Sequence, residues 1–329
     1  MWMSSLTRIS DIYIKMTCSR CKKEKTVINL PYVNQSLCEE CFVRFFESRV
    51  RRTIRRYELL EPDDKIAVAL SGGKDSMTVL TILAKLAHKA PKSELFAIII
   101  NEGSGEYRDR LVDTARQYCD MLGVPCHIFS FKEELGATIK EIVARVAESP
   151  NRMPSCSYCG VFRRQLLNLK ARELGATKLA TGHNLDDEVQ TGLMNFVRGD
   201  AYRIARAGAM VGAIGHEKFV PRIKPLRETP ESEVKLYTQI MEIPTSYCAC
   251  PYNTEAFRIS MKKIVLELEE KYPGTRYQTL ASIDELAPIL REYYITKEGQ
   301  GPRICEKCGE VSSGRWCKFC QMKKALGLD

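Results

Sequence analysis

No apolar run in the 329-residue chain approaches the ~20 residues that a helical membrane span requires; residues 95–100, among the longest, are only strand-sized. Residues 1–16 mix polar and apolar side chains and lack the apolar core of a secretory signal, so a cytoplasmic protein with no membrane partner is the expectation. Disulfides are not expected in such a compartment. The 14 cysteines therefore need another explanation, and metal is the better one. No internal repeat appears beyond two cysteine-rich modules. What remains is ordinary for a globular chain: 44% hydrophobic and 28% charged residues, and length for roughly two domains. The net charge is +9, from 50 Lys and Arg against 41 Asp and Glu, which suits a polyanionic partner without requiring one.

Ser71-Gly72-Gly73-Lys74-Asp75-Ser76 lies where a buried-strand pattern, residues 66–70, gives way to a helical one, residues 77–86. A Gly-rich turn there forms a phosphate cradle. Glycine lets the backbone approach an anion, free N–H groups point at it, and the helix dipole favours negative charge. Lys74 adds a cation and Ser76 a hydroxyl. The Walker A spacing, with four residues between Gly and Gly-Lys, is absent.

The cysteines fall into three groups. Cys18, Cys21, Cys38 and Cys41 form two CxxC turns sixteen residues apart, and Cys305, Cys308, Cys317 and Cys320 form two more, eight residues apart. Each set can close a tetrahedron of thiolates around a structural Zn²⁺. Lys307, Arg315, Lys318, Lys323 and Lys324 make the second ribbon basic, as gripping a phosphate backbone would require. The third group is incomplete. Cys156 and Cys159, followed by Gly160, have as further candidates only Cys248 and Cys250, about ninety residues on. Three thiolates suggest an iron–sulfur cluster with an open position, or a redox pair that carries sulfur. Cys119 and Cys126 stand apart from ligand spacing, and core packing is their expected role.

Residues 1–60 hold the first zinc module and a basic helix in which Phe42, Phe46, Val50 and Ile54 make one apolar face among Arg44, Arg49, Arg51, Arg52, Arg55 and Arg56. Strands are predicted at 65–70, 95–100, 126–131 and 178–181. They alternate with helices at 75–88, 107–122, 136–147 and 161–174. Continuous apolar strands in this alternation imply an α/β fold with a doubly wound parallel sheet, spanning residues 61–298, and a second ribbon follows at 299–329. Ligands of such sheets bind at the carboxyl ends of the strands. That edge gathers the loop at 71–76, Asn101-Glu102-Gly103, and Gly182-His183-Asn184-Leu185-Asp186-Asp187. Helix capping explains one or two of the last group. Acids at that position also suit Mg²⁺ on a triphosphate. The basic residues at 198, 203, 206, 222, 224 and 227 either line an RNA groove or are simply solvated.

Taken in order, Ser71–Ser76, Cys156-Ser157-Tyr158-Cys159-Gly160, the Gly182-to-Asp187 segment, Arg198-Gly199-Asp200, Cys250-Pro251-Tyr252 and both zinc modules resemble the tRNA 2-thiouridine synthetases. That family includes the T-loop-uridine and wobble-uridine enzymes. The resemblance spans residues 18–320, and the C-terminal ribbon looks particularly like the wobble-uridine branch. It implies a PP-loop ATP pyrophosphatase domain between zinc ribbons, adenylation of the uridine 2-oxygen by ATP, and replacement of AMP by sulfur. It further implies a [4Fe–4S] cluster held by Cys156, Cys159 and Cys250. Lys74 would contact phosphate, Arg163 would be the basic residue after the CxxC turn, and Asp187 the essential acid. The nucleotide would meet Ser71, Gly72, Gly73, Lys74, Asp75, Ser76, Arg163 and Asp187. Ala69 and Ile100 would touch adenosine through backbone, and Gly182 would border it. The family also implies tRNA and a homodimer, with sulfide or a thiocarboxylated ubiquitin-like protein as sulfur donor. Cys248, two residues before the preferred Cys250, is a departure from the family pattern.

Two other readings compete. A PP-loop amidating or lysine-adding tRNA enzyme would use ATP alike but would not need Cys156, Cys159 and Cys250. A non-enzymatic zinc-ribbon RNA-binding protein would explain the ends and the charge, but not the loop.

Overall fold

The computed structural model describes residues 17–22, 25–90, 92–147, 153–212, 218–245, 250, 252, 256–298, 303–312 and 314–328. An antiparallel hairpin, β1 (Ile28–Leu30) and β2 (Gln35–Leu37), leads into α1 (Glu39–Arg56). Then follow β3 (Lys65–Ala69), α2 (Lys74–Ala87), β4 (Glu94–Asn101), α3 (Glu106–Leu122), β5 (Cys126–Ser130), α4 (Phe131–Leu135), α5 (Ile139–Ala147), α6 (Ser155–Glu173) and β6 (Lys178–Ala180). The chain continues through α7 (Leu185–Val197), α8 (Ala201–Ala205), β7 (Met210–Val211), β8 (Arg222–Ile223), α9 (Glu231–Ile240), α10 (Ala256–Lys271) and α11 (Thr275–Glu298). A last hairpin, β9 (Arg303–Ile304) and β10 (Val311–Ser312), precedes α12 (Lys318–Ala325).

The central sheet runs β5-β4-β3-β6-β8-β7, parallel throughout except for β7 at one edge. Alternate residues of its strands feed two cores, as a sheet covered on both faces demands. Ile66, Val68, Ala97 and Ile99 join α1, α2, α3 and α9 on one face. Ala67, Phe96, Ile98 and Ile100 join α4, α5, α6 and α12 on the other. The doubly wound α/β expectation therefore holds. The first core also takes in Leu30, Leu37, Cys38 and Cys41, so the N-terminal hairpin packs continuously onto the domain.

Some boundaries differ from the sequence reading. The third strand stops at Ser130, whose hydroxyl accepts from Glu133 N (3.1 Å) and starts α4; Gly136, in the left-handed region, ends it. The helix expected at 136–147 thus begins at Ile139. The helix expected at 161–174 begins at Ser155, which brings Cys156 and Cys159 into its first turns at i and i+3, on one side.

The apolar face of α1 is as expected: Phe42, Phe46 and Val50 are fully buried and Ile54 nearly so. The helix is less freely basic than it reads. Arg49, 3% exposed, is sealed against Glu233 of α9 (2.9 Å). It stands three residues from Phe46 and one from Val50, at the margin of the buried arc. Arg56 reaches Glu228 at 2.8 Å. Cys119 and Cys126 face each other across the turn between α3 and β5, thiol hydrogen-bonded to thiol, and both contact the first core.

Candidate functional site

The loop following β3 is held open by its own side chains. Ser76 Oγ donates to Gly73 O (3.0 Å) and accepts from Ser71 N (3.1 Å), while Ser71 Oγ lies 3.0 Å from Ser76 Oγ and accepts from Gly73 N (3.3 Å). Ser76, expected as an added ligand, is thus a buried brace here. Gly73 caps α2 without a side chain, leaving the first N–H groups of the helix to face an anion. Gly72 has φ +80°, and a Cβ there would come within 2.7 Å of Leu111 O, so only glycine fits between loop and α3. Arg108 of α3 donates to Ser71 O and, at 2.6 Å, to Ile100 O. It fastens the ends of β3 and β4 together. Ala69 is half-buried at the mouth of the loop.

Lys74 Nζ lies 2.8 Å from Asp75 Oδ2 and 3.1 Å from Glu231 Oε1. Burial works against its charge, but Asp75 and then Glu231 outweigh it and raise its pKa. Glu231 also holds Lys262 of α10 at 2.6 Å. Asp75 in turn accepts from Asn184 Nδ2 (2.9 Å), which ties the loop to the segment after β6. Gly182 is the point of closest approach: a Cβ there would lie 2.7 Å from Ser76 N and 2.9 Å from Asp75 C.

The two adjacent aspartates diverge. Asp186 is turned inward, paired with Arg276 (2.8 Å) and accepting from Glu231 N (2.7 Å). Asp187 forms a capping box with Asn184: its carboxylate accepts from Asn184 N (3.2 Å), and its own N–H donates to Asn184 Oδ1 (3.0 Å). Burial, followed by the nearby Asp75 carboxylate, pushes Asp187 up to about 6. His183 is exposed, its Nδ1 2.9 Å from Thr181 Oγ1.

Across the same strand edge lie three of the four remaining cysteines, Cys156, Cys159 and Cys250. Cys156 Sγ donates to Tyr252 O (3.2 Å) and Ser155 Oγ to the same oxygen (3.1 Å), so α6 meets the Cys250 segment at its N-terminus. Tyr107 is pushed up to about 12, first by burial and then by its hydrogen bond with Cys250; it also accepts from Ser104 Oγ (3.1 Å). The Cys159 thiol is raised to about 11. Burial is the main cause and Arg163 opposes it, while Glu102, Cys250 and Cys156 add to it. Cys248 and Pro251 lie outside the described residues.

Glu102, which is buried, organises this half. It binds Arg163 Nη1 (2.9 Å) with one oxygen and Arg108 Nε (2.6 Å) with the other. The sequence puts it at the ligand-binding edge, and its partners show what it does there. Arg163, Glu102 and Arg108 are thereby linked in succession to Ser71 O.

The cysteine groups differ in spacing. Among the described residues, only Cys18/Cys21/Cys38/Cys41 and Cys305/Cys308/Cys317/Cys320 bring all their sulfurs within 4.8 Å of one another. Cys21 and Cys38 stand 3.8 Å apart, Cys308 and Cys317 3.6 Å. Tetrahedral Zn–S bonds of about 2.3 Å demand sulfurs about 3.8 Å apart, so both sets fit zinc. Burial raises the Cys305 thiol, but N–H groups of Cys317, Cys308 and Lys307 outweigh it and bring it down to about 6, near the thiolate a metal needs. Cys156, Cys159 and Cys250 do not gather within 4.8 Å of one another.

The C-terminal ribbon is docked rather than free. Phe319 meets Phe162 edge-on at 5.4 Å, Met322 and Leu326 enter the second core, and Arg172 grips Glu310 with both nitrogens. Its cations are partly occupied: Arg315 pairs with Glu306 (2.6 Å), and Lys324 lies 4.9 Å from the centre of the Trp316 ring.

Comparisons with known proteins agree with this arrangement. Residues 44–256 match the PP-loop domain family, and residues 17–43 match the N-terminal LIM domain of 2-thiouridine synthetase TtuA. The tRNA 2-thiolation protein NcsA of Haloferax volcanii is 37% identical over 322 residues, covering 94% of this chain and 99% of the relative. The tRNA-5-methyluridine(54) 2-sulfurtransferase of Pyrococcus horikoshii is 36% identical, covering 95% and 96%. Among solved structures, the U34-tRNA thiolase NcsA of Methanococcus maripaludis with its [4Fe–4S] cluster superposes with a TM-score of 0.80 at 35% identity, covering 94% of this chain and 96% of that one.

Proposed function

The chain belongs to the PP-loop family of tRNA 2-thiolation enzymes, and from that premise we propose that it adenylates a tRNA uridine with ATP and exchanges the activated oxygen for sulfur. One observation carries the proposal: the phosphate loop and the Cys156, Cys159 and Cys250 thiols converge on one strand edge, joined by Glu102 and Arg163.

A carbonyl oxygen is a poor leaving group, so activation must precede substitution. The N–H groups at the start of α2 and Lys74 take the phosphates, and Lys74 exchanges Asp75 and Glu231 for them. Asp187 and Asp75, whose carboxylates repel across a short distance, suit a Mg²⁺ ion on the triphosphate. Arg163 faces the developing negative charge from the cysteine side, oriented by Glu102. Cys156, Cys159 and Cys250 would hold the [4Fe–4S] group, which would supply the chemistry for delivering sulfur. The two four-cysteine ribbons would hold Zn²⁺, and their packing braces these modules on the domain.

Sulfide or a thiocarboxylated ubiquitin-like protein is the proposed donor. A cytoplasmic location fits the relatives named as cytoplasmic, and no helix among the described residues is long and apolar enough to cross a membrane. A homodimer fits the apolar residues exposed on α10 and α11: Ile259, Leu266, Leu286, Ile289 and Tyr293.

The test is anaerobic incubation of reconstituted enzyme with tRNA, ATP and sulfide, followed by mass spectrometry of nucleosides. 2-Thiouridine should form only when ATP is present, and mapping it locates the uridine. Pyrophosphate release accompanied by an amidated or lysine-bearing base would overturn the reading. Cys250→Ala should lose cluster iron; full iron content there would sink the ligand assignment and turn attention to Cys248.

A further inference from the structure

The cations of β8 and its surroundings are mostly partnered. Lys224 meets Glu188 at 2.7 Å, Arg227 meets Glu188 at 3.2 Å and also Asp284, and Arg203 meets Asp200 at 3.1 Å. Arg222 is the exception. Its Nε is buried with no hydrogen-bond partner among the described residues, and its guanidinium lies 5.4 Å from the centre of the Phe219 ring. Among the described residues, the charged groups that act on it are of its own sign. Arg206 stands just past α8, exposed, with its guanidinium 5.9 Å from the Tyr202 ring centre. Arg164 lies over Gly160, where an added Cβ would come within 3.3 Å of Nη1. Burial and then the charges of Arg164 and Arg206 bring Arg222 down to about 10. A partly buried guanidinium whose Nε has no hydrogen-bond partner among the described residues, and which feels two others of its own charge, is unfavourable in the free protein. An anion seated among them relieves it.

We propose that Arg222, with Arg206 and Arg164, forms the seat for a phosphodiester of the tRNA strand that presents the target uridine, a proposal that rests on the tRNA reading above. Guanidinium groups suit phosphate because their fork of donors matches two oxygens at once. Position separates this phosphate from those of ATP. The loop at 71–76 follows β3, and β6 stands between β3 and β8, which sets Arg222 about 10 Å to the side. Gly160 immediately follows Cys159, so the seat flanks the sulfur side of the site, where the base rather than pyrophosphate must arrive.

Arg222→Met keeps the apolar stem against Phe219 and removes the charge. The expected result has three parts. Thermal stability of the free protein is unchanged or higher, since an unpaired charge has gone. Affinity for tRNA falls about tenfold, and the plot of log affinity against log salt becomes shallower by about 0.7 to 0.9, the loss of one phosphate contact. Affinity for ATP in the absence of tRNA is unchanged. A lower melting temperature with unaltered tRNA affinity would make Arg222 a structural residue and overturn the proposal. Weakened ATP binding with unaltered tRNA binding would assign the seat to the nucleotide instead. Arg206→Met, at an exposed position, carries the same test without threatening the fold. Wild-type protein that binds no tRNA at all would sink the broader reading; wild-type binding matched by both variants sinks only this seat.

Discussion

Replacing Asp187 with asparagine tests how the carboxylate edge of the site is held. The folded protein raises this acid from its usual 3.8 to about 6, by burial first and by Asp75 second. Two units of displacement correspond to about 3 kcal/mol carried by the ionised form at neutral pH. The amide of the Asp187→Asn variant keeps an acceptor for Asn184 N and so preserves the capping box. The variant gives up a charge at the N-terminus of α7, worth about 0.3–1 kcal/mol. It should therefore be more stable than wild type by about 2 kcal/mol near pH 7.5, or roughly 4–8 °C in melting temperature. Because the folded-state value lies above the unfolded one, folding favours the neutral acid. The penalty is complete above about pH 6 and gone below about pH 4, so the advantage of the variant should shrink across that window. Thermal melts of both proteins at several pH values read this directly. Thiolation by the variant should be abolished even though it is more stable, because the carboxylate is assigned to Mg²⁺. A variant less stable at neutral pH, or an advantage that does not change with pH, refutes the argument.

Gly182→Ala should raise KM for ATP by displacing the loop, because its Cβ would meet backbone at Ser76 N and Asp75 C, and such overpacking costs about 1–3 kcal/mol; an unchanged KM in pyrophosphate-release assays contradicts this. Glu102→Gln leaves Arg108 and Arg163 without their shared counter-charge, so the denaturation midpoint should fall by an amount equivalent to about 3 kcal/mol, with Glu102→Asp restoring part of it. Cys320→Ser should reduce bound zinc by one ion per chain and loosen the contact of Phe319, Met322 and Leu326 with the domain; undiminished zinc by elemental analysis excludes the ribbon as a zinc site.

Part of this protein is legible residue by residue. The four parallel strands declared themselves as short continuous apolar runs, and β3, β4, β5 and β6 occur within a residue of the predicted positions. β3, β5 and β6 each end one residue early, short of Leu70, Phe131 and Thr181, and for β5 the reason is that Ser130 caps a helix. The short β7 and β8, two residues each, have no periodicity to detect. The sequence reading begins α6 at Val161, whereas the structure carries the helix back to Ser155 and keeps Gly160 helical beside the Arg164 guanidinium.

Spacing alone marked the glycine-rich loop after β3, the two four-cysteine clusters and the parallel sheet, since each depends on residues close together in the chain or on a repeating pattern. Tertiary structure decided what the charges do. Asp186 and Asp187 are neighbours in sequence, yet about 100° apart around α7, and one meets Arg276 while the other faces the loop. Arg49 reads as surface and is buried by Glu233, 184 residues away. Glu102, Glu231 and Arg222 carry no motif at all. Their surroundings come from elements brought together only when the sheet closes, and an electrostatic environment is a property of that assembly rather than of any segment within it.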